Sequence, residues 1–317
     1  MDTQTVCLDG KTITLRQHPE VWPPLSAREM LQVCHAKGYL NNLQNDRVLD
    51  FAAGSGVLGL MLSRWGARSV TLTDYCPMAV ALAMQSAEDN GLDDVTGIHS
   101  DHFDAVSRQD YDLIISNPPV QPWLYTDVEN QLKRDQAAWN EAGADGRLVL
   151  DSVLREAMDY LKVGGRLITS TSSRHGDRQT QVLLDQYWSG QWREFHRSEH
   201  KIIQDYHGPY LQTWLAMQVQ DLDLRIYQKD QQGRPFAFYT DPEGEAYLLT
   251  SRGGGKSNIL WQSHAGQWQA VLGSEDELPP LGDKDVQALQ AEAQRSPWYY
   301  QYRLIEAIKT EPLAQVA

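Results

Sequence analysis

Arg47-Val48-Leu49-Asp50-Phe51-Ala52-Ala53-Gly54-Ser55-Gly56-Val57-Leu58-Gly59 decides the fold. It reads as a buried strand, a glycine turn and a helix that sets Leu58, Met61, Leu62 and Trp65 on one face before stopping at Gly66. Glycines let the backbone approach a ligand where a Cβ would collide, and they leave a helix N-terminus open. Working outward, Ser69–Asp74 reads as a second strand, followed by a helix that Pro77 starts and Asn90-Gly91 stops. A third strand, Val95–His99, runs into Ser100-Asp101. A fourth, from Tyr111, runs into Ser116-Asn117-Pro118-Pro119-Val120. Polar residues at the end of each strand predict an α/β chain with an open, doubly wound, mostly parallel sheet and a ligand cleft along its carboxyl edge.

Two cofactors compete for that cleft. Gly54–Gly59 matches the G-x-G-x-x-G dinucleotide fingerprint, and Asp74 lies where a ribose-binding acid belongs. Asp50 argues against NAD, because it puts a carboxylate just before the turn, suited to a ligand ammonium. S-adenosylmethionine carries one. Asp101 could accept from an adenine amino group, with Phe103 stacking nearby. S-adenosylmethionine is therefore the expected cofactor. An NAD-dependent oxidoreductase and a non-catalytic S-adenosylmethionine-binding protein are the alternatives.

Asn117-Pro118-Pro119 supplies the chemistry. An amide oxygen and a backbone carbonyl, held at a strand end by residues that lock φ, form a rigid pair of acceptors. Two N–H···O bonds to that pair turn a nitrogen lone pair toward an electrophile. Asn117 and the Pro118 carbonyl are accordingly the candidate catalytic groups. His175, just after the strand expected from Arg166 to Ser172, is a candidate proton acceptor.

Asp50, Gly54, Ser55, Gly56, Asp74, Asp101 and Asn117-Pro118-Pro119 together resemble class I S-adenosylmethionine-dependent methyltransferases of the small-methyltransferase-domain type. That group includes release-factor glutamine N-methyltransferases and rRNA guanine N2-methyltransferases. Glu20-Val21-Trp22-Pro23-Pro24 and Gly143-Ala144-Asp145-Gly146-Arg147 are more similar to the glutamine enzymes. The resemblance implies a Rossmann-like seven-stranded sheet. It also implies a cofactor-binding set of Asp50, Ala52, Gly54, Gly56, Asp74, Tyr75, Asp101, His102, Phe103 and Asn117. Its substrate-binding set is Pro119, Val120, Trp123, Tyr125, Trp139 and His207, with no metal. Two departures stand out. Ala52 replaces the usual first glycine, and Val120 replaces the aromatic residue after the prolines, so that Trp123 or Tyr125 would have to supply a ring.

Forty-two acids against 28 bases give a net charge of −14, which disfavours a polyanionic partner. Charge, Val120 and the extra C-terminal sequence point to a small-molecule acceptor, with a protein glutamine or an rRNA base as alternatives. Three cysteines without C-x-x-C spacing, no apolar run of transmembrane length and an N-terminus unlike a signal peptide suggest a cytoplasmic protein. Self-association stays open.

Three regions are expected. Residues 1–45 form an N-terminal segment with a covering helix, Ser26–Lys37, that opens with the capping box Ser26-Ala27-Arg28-Glu29. Residues 46–220 form the S-adenosylmethionine-binding core. Residues 221–317 form a β-rich C-terminal appendage with short strands over Phe236–Tyr239, Glu245–Thr250, Asn258–Trp261 and Gln267–Leu272. A final helix is expected from about Pro297 to Lys309. Gly253-Gly254-Gly255-Lys256-Ser257 lacks the first glycine of a P-loop and reads as a hairpin tip.

Overall fold

The computed structural model describes residues 2–19, 21, 25–108, 110–123, 141–203, 207–251, 258–264, 267–272, 281 and 283–311. The segments Glu20 with 22–24, the loop carrying Tyr125 and Trp139, and the Gly253–Ser257 tip lie outside them. Two compact units are present. The first comprises residues 1–171, 180–197 and 303–317, and the second 172–179 and 198–302.

A hairpin, β1 (Thr3–Leu8) and β2 (Lys11–Arg16), comes first. Its Asp9-Gly10 turn has positive φ at both residues, which matches the right-handed twist of the flanking strands. Helix α1 (Leu25–Ala36) follows, and its Met30, Leu31 and Cys34 are fully buried. The strands and helices that carry the cleft then alternate: β3 (Arg47–Phe51), α2 (Val57–Arg64), β4 (Ser69–Asp74), α3 (Pro77–Asp89), β5 (Val95–His99) and β6 (Tyr111–Ser116). Next come α4 (Leu148–Tyr160), β7 (Leu161–Ser172), α5 (Asp177–Trp188) and β8 (Trp192–Lys201), and a last strand, β14 (Tyr299–Ile308).

These strands form one seven-stranded sheet in the order β5-β4-β3-β6-β7-β14-β8, with parallel pairing from β5 through β7. The order reverses between β3 and β6, which is where a doubly wound sheet opens a crevice. Helix α2 lies tightly on this sheet. A Cβ on Gly59 would sit 2.3 Å from Leu72 Cδ2 and 3.1 Å from Asp50 Cβ, so only glycine permits the approach.

The helix expected over residues 297–309 is instead β14. Tyr302, Leu304, Ile305 and Ala307 are buried, and so is Glu306, which Arg193 meets at 2.8 Å. A strand enclosed between two others is apolar on both faces, so it lacks the alternation that marks a half-exposed strand.

In the second unit, β9 (Gln228–Lys229), β10 (Pro235–Thr240), β11 (Ala246–Ser251), β12 (Asn258–His264) and β13 (Gln267–Leu272) form an antiparallel sheet in the order β13-β12-β11-β10-β9. Helices α6 (Leu211–Asp221) and α7 (Asp283–Ala293) belong to the same unit. Among the described residues no helix is long and apolar enough to cross a membrane, and no cluster of metal-ligating side chains occurs.

Candidate active site

The parallel register sets Phe51 of β3 opposite Ser116 of β6, and Ser116 Oγ donates to the Phe51 carbonyl at 2.9 Å. The glycine turn begins one residue after Phe51 and the Asn-Pro-Pro tip one residue after Ser116. Backbone pairing thus brings the two segments side by side at the carboxyl edge of the sheet.

The turn is held by short bonds. Ala53 N–H donates to the Thr73 carbonyl at 2.9 Å and Gly56 N–H to the Ala53 carbonyl at 2.8 Å. Ala52, Gly54 and Gly56 all have left-handed φ, at 57°, 53° and 76°. Among the described residues, no heavy atom beyond its chain neighbours lies within 4 Å of where a Gly54 Cβ would stand, whereas a Gly56 Cβ would be 2.9 Å from Ala83 Cβ. Gly54 therefore faces open space, and Gly56 lets the turn close onto α3.

Asp50 is completely buried. Its Oδ2 accepts from Gly59 N–H at 2.8 Å, while Oδ1 is buried without a hydrogen-bond partner. Burial raises its pKa to about 7, against the Gly59 N–H that lowers it and with the Asp74 charge that raises it. Asp74 at the end of β4 accepts from Gly54 N–H on Oδ2 and from Cys76 N–H on Oδ1, both at 2.8 Å. A carboxylate has about four lone-pair sites, so each oxygen keeps capacity for a hydroxyl donor. Burial raises this carboxyl as well.

At the tip of β5, Asp101 is exposed and its Oδ1 lies 2.6 Å from His102 Nδ1; the His102 backbone has φ 49°. Tyr75 is also exposed, and its carbonyl lies 2.9 Å from His99 Nε2. Phe103 differs from expectation. It is buried and stacked between Phe51, at 4.3 Å between centroids, and Tyr160, at 4.5 Å. Both ring faces are occupied by the core, so Phe103 has none to offer an adenine.

Asn117 is clamped from two sides. Its Nδ2 donates to Ser26 Oγ of α1 at 3.0 Å, and its Oδ1 accepts from Ser170 Oγ of β7 at 2.8 Å. Pro118 is buried, and Pro119 and Val120 are half-buried. The chain beyond them pairs with residues 141–143: Ala142 N–H donates to the Gln121 carbonyl and Trp123 N–H to the Gly143 carbonyl, both at 2.8 Å. Arg147 is buried with its guanidinium on Asp151 at 2.7 Å and Thr180 at 3.0 Å. It anchors the start of α4 beneath this segment.

Ser26 and Ser170 were not singled out from sequence. Ser26 reads as part of a helix cap, and its hydroxyl accepts from Asn117. Ser170 carried one signal, a polar residue following the buried Leu167-Ile168 at a strand end.

Two of the candidate histidines are buried and hold local backbone turns. His175 is buried, and its Nδ1 accepts from Ser172 N–H at 3.1 Å within the turn that Ser172 and His175 cap reciprocally. His207 belongs to the second unit. It is buried, and its Nδ1 accepts from Ile203 N–H at 3.0 Å.

A glycine turn, strand-end carboxylates and an Asn-Pro-Pro tip at one edge of this sheet define an S-adenosylmethionine-dependent methyltransferase. The chain belongs to the methyltransferase small domain family, whose model matches residues 35–194. It is 31% identical over 171 residues to a putative protein N5-glutamine methyltransferase of Methanocaldococcus jannaschii, covering 53% of this chain and 80% of that one. A release factor glutamine methyltransferase of Coxiella burnetii is 27% identical over 58% of this chain and 64% of its own length. A ribosomal RNA small subunit methyltransferase C of Pseudomonas entomophila is 39% identical over 37% of this chain and 36% of its own. The small-molecule acceptor expected from charge finds no support among these relatives.

The residues present fit the cofactor. Asp50 Oδ1 is a buried acceptor that lacks a donor, and the space over Gly54 is open.

Proposed function

We propose that the protein transfers a methyl group from S-adenosylmethionine to the side-chain amide nitrogen of a glutamine in a protein substrate. The observation that carries this reading is the clamp on Asn117, fixed by Ser26 and Ser170 beside the glycine turn.

In this reading Asp50 meets the cofactor's ammonium, and Gly54 and Gly56 let its body approach the backbone. Asp74 takes the ribose hydroxyls, and Asp101 with His102 borders the adenine. When bound, the cofactor supplies an electrophilic methyl group on a sulfonium. An amide nitrogen is a poor nucleophile because its lone pair is delocalised into the carbonyl. Asn117 Oδ1 and the Pro118 carbonyl accept its two N–H groups and hold the lone pair out of conjugation, toward the methyl carbon. Oδ1 can do so while it accepts from Ser170, because a carbonyl oxygen has two lone pairs. Such alignment is worth roughly 7–11 kcal/mol in favourable cases. The surplus proton then leaves the nitrogen for water. Pro119, Val120 and Trp123 flank the acceptor, with the Trp123 ring in the place that Val120 cannot fill.

An rRNA base offers the same planar nitrogen, but a net charge of −14 opposes a polyanion. The test is transfer of labelled methyl from S-adenosylmethionine to an extract that holds both proteins and ribosomal RNA. The label should appear on a glutamine in a protein and vanish with Asn117→Ala, while S-adenosylhomocysteine still binds. Label confined to RNA would refute the glutamine assignment. Equal loss of cofactor affinity and turnover would refute the role of Asn117.

A further inference from the structure

Within the second unit lies a cationic group that methyl transfer does not use. Arg174 is only 6% exposed, and its guanidinium lies over the Tyr300 ring, with Cζ 3.8 Å from the centroid and 5.5 Å from that of Trp214. Its Nε donates to Ser172 Oγ at 3.0 Å, and its two Nη groups meet no acceptor among the described residues. Among the described residues no carboxylate pairs with it, and burial pushes its pKa down.

Its neighbours are donors too. Trp214 is fully buried and its Nε1–H has no acceptor. His207, 6.2 Å from Trp214 between ring centroids, uses Nδ1 as an acceptor for Ile203 N–H, so its proton sits on Nε2. Burial and the Arg174 charge push its pKa down to about 3, which keeps the ring neutral. A buried guanidinium beside an indole N–H that is itself buried without an acceptor makes a site suited to an anion.

We propose that Arg174, Trp214 and His207 form a binding pocket for a carboxylate. The donor set selects that chemistry. A guanidinium stacked on a ring and held at Nε presents its Nη pair edge-on, and that spacing matches the two oxygens of a carboxylate. A single cation balances a single negative charge, whereas a phosphate dianion would call for a second cation or a nest of backbone N–H groups. The carboxylate could belong to a free organic acid or to an acidic side chain of a protein, and the experiment separates these sources.

The thermal midpoint of the full-length protein should rise with sodium benzoate above its value in sodium chloride of equal ionic strength. Arg174→Met should abolish the rise. Trp214→Phe, which keeps the ring and loses only the N–H, should weaken benzoate about fivefold. Retained S-adenosylhomocysteine binding certifies that each variant is folded; if Arg174→Met does not fold, Trp214→Phe carries the test. A blocked glutamate-rich peptide that displaces benzoate assigns the pocket to a protein partner, and an inert peptide assigns it to a free acid. Equal response to benzoate and chloride, or variants that bind benzoate like the wild type, would overturn the pocket.

Discussion

Ser170 Oγ and Asn117 Oδ1 are joined by a 2.8 Å hydrogen bond, one residue beyond the Ser116–Thr169 pair of neighbouring parallel strands. The sheet register itself therefore aims the amide. Ser170→Ala should remove the bond on Asn117 Oδ1 and leave the Ser26 contact on its Nδ2. Turnover is expected to fall about tenfold or more, because small misplacement of a positioning group is costly. Affinity for S-adenosylhomocysteine should be unchanged, and stability should drop by about 1 kcal/mol. Steady-state kinetics beside a ligand titration check both; an unaltered kcat would deny the clamp a part in catalysis.

Asp50 should couple stability and cofactor binding to pH. Burial raises its native pKa to about 7 from an ordinary 3.8. Between those values the native state holds a proton that the unfolded chain has released. The contribution of this group to stability is therefore complete below the lower value and lost as pH rises through the upper. Asp50→Asn should remove that slope, read as the difference in unfolding midpoint between variant and wild type from about pH 4 to about pH 8. Below about pH 7, S-adenosylhomocysteine binding should also release a proton as its ammonium reaches the carboxylate. Calorimetry in buffers of unequal ionisation heat would show it, and a buffer-independent heat would remove Asp50 from the ammonium site.

Ala52 holds φ 57° without being a glycine. A left-handed alanine costs about 1–2 kcal/mol, of which the greater unfolded-state freedom of glycine would give back about half. Ala52→Gly is expected to raise the urea unfolding free energy by about 0.5–1 kcal/mol on that balance. A loss of stability would mean that the methyl group's packing outweighs the backbone term.

Gly146 has φ 77°, and a Cβ there would fall 2.3 Å from the Val120 carbonyl oxygen. Gly146→Ala must push the segment after the prolines out of place, at about 2 kcal/mol or more of stability. Turnover should collapse, with cofactor affinity within about twofold of wild type, because the glycine turn lies on another strand. A parallel loss of cofactor binding would show that the two segments are not independent.

Much of the cleft was legible from residue order. The strand–glycine–helix unit at residues 47–64, the strands ending at Asp74, His99 and Ser116, and the hairpin strands between 235 and 272 all follow from local signals. Buried runs, punctuating glycines and prolines act within a few residues of themselves. Asp9-Gly10 is an equally local signal, for the hairpin of β1 and β2.

The sequence by itself determined the alternation of elements and the polar groups at the strand ends, since both are encoded by near neighbours. Only the tertiary structure decided which of those groups reach a common place. It put Ser26 and Ser170 on Asn117, closed both faces of Phe103 with Phe51 and Tyr160, and drew Tyr299–Ile308 into the sheet as a strand. The hydrogen bonds and ring stacks join residues 52 to 91 positions apart, and the place of the last strand depends on which strands enclose it. No short-range pattern carries that information, because it is set by register and by the burial that register creates.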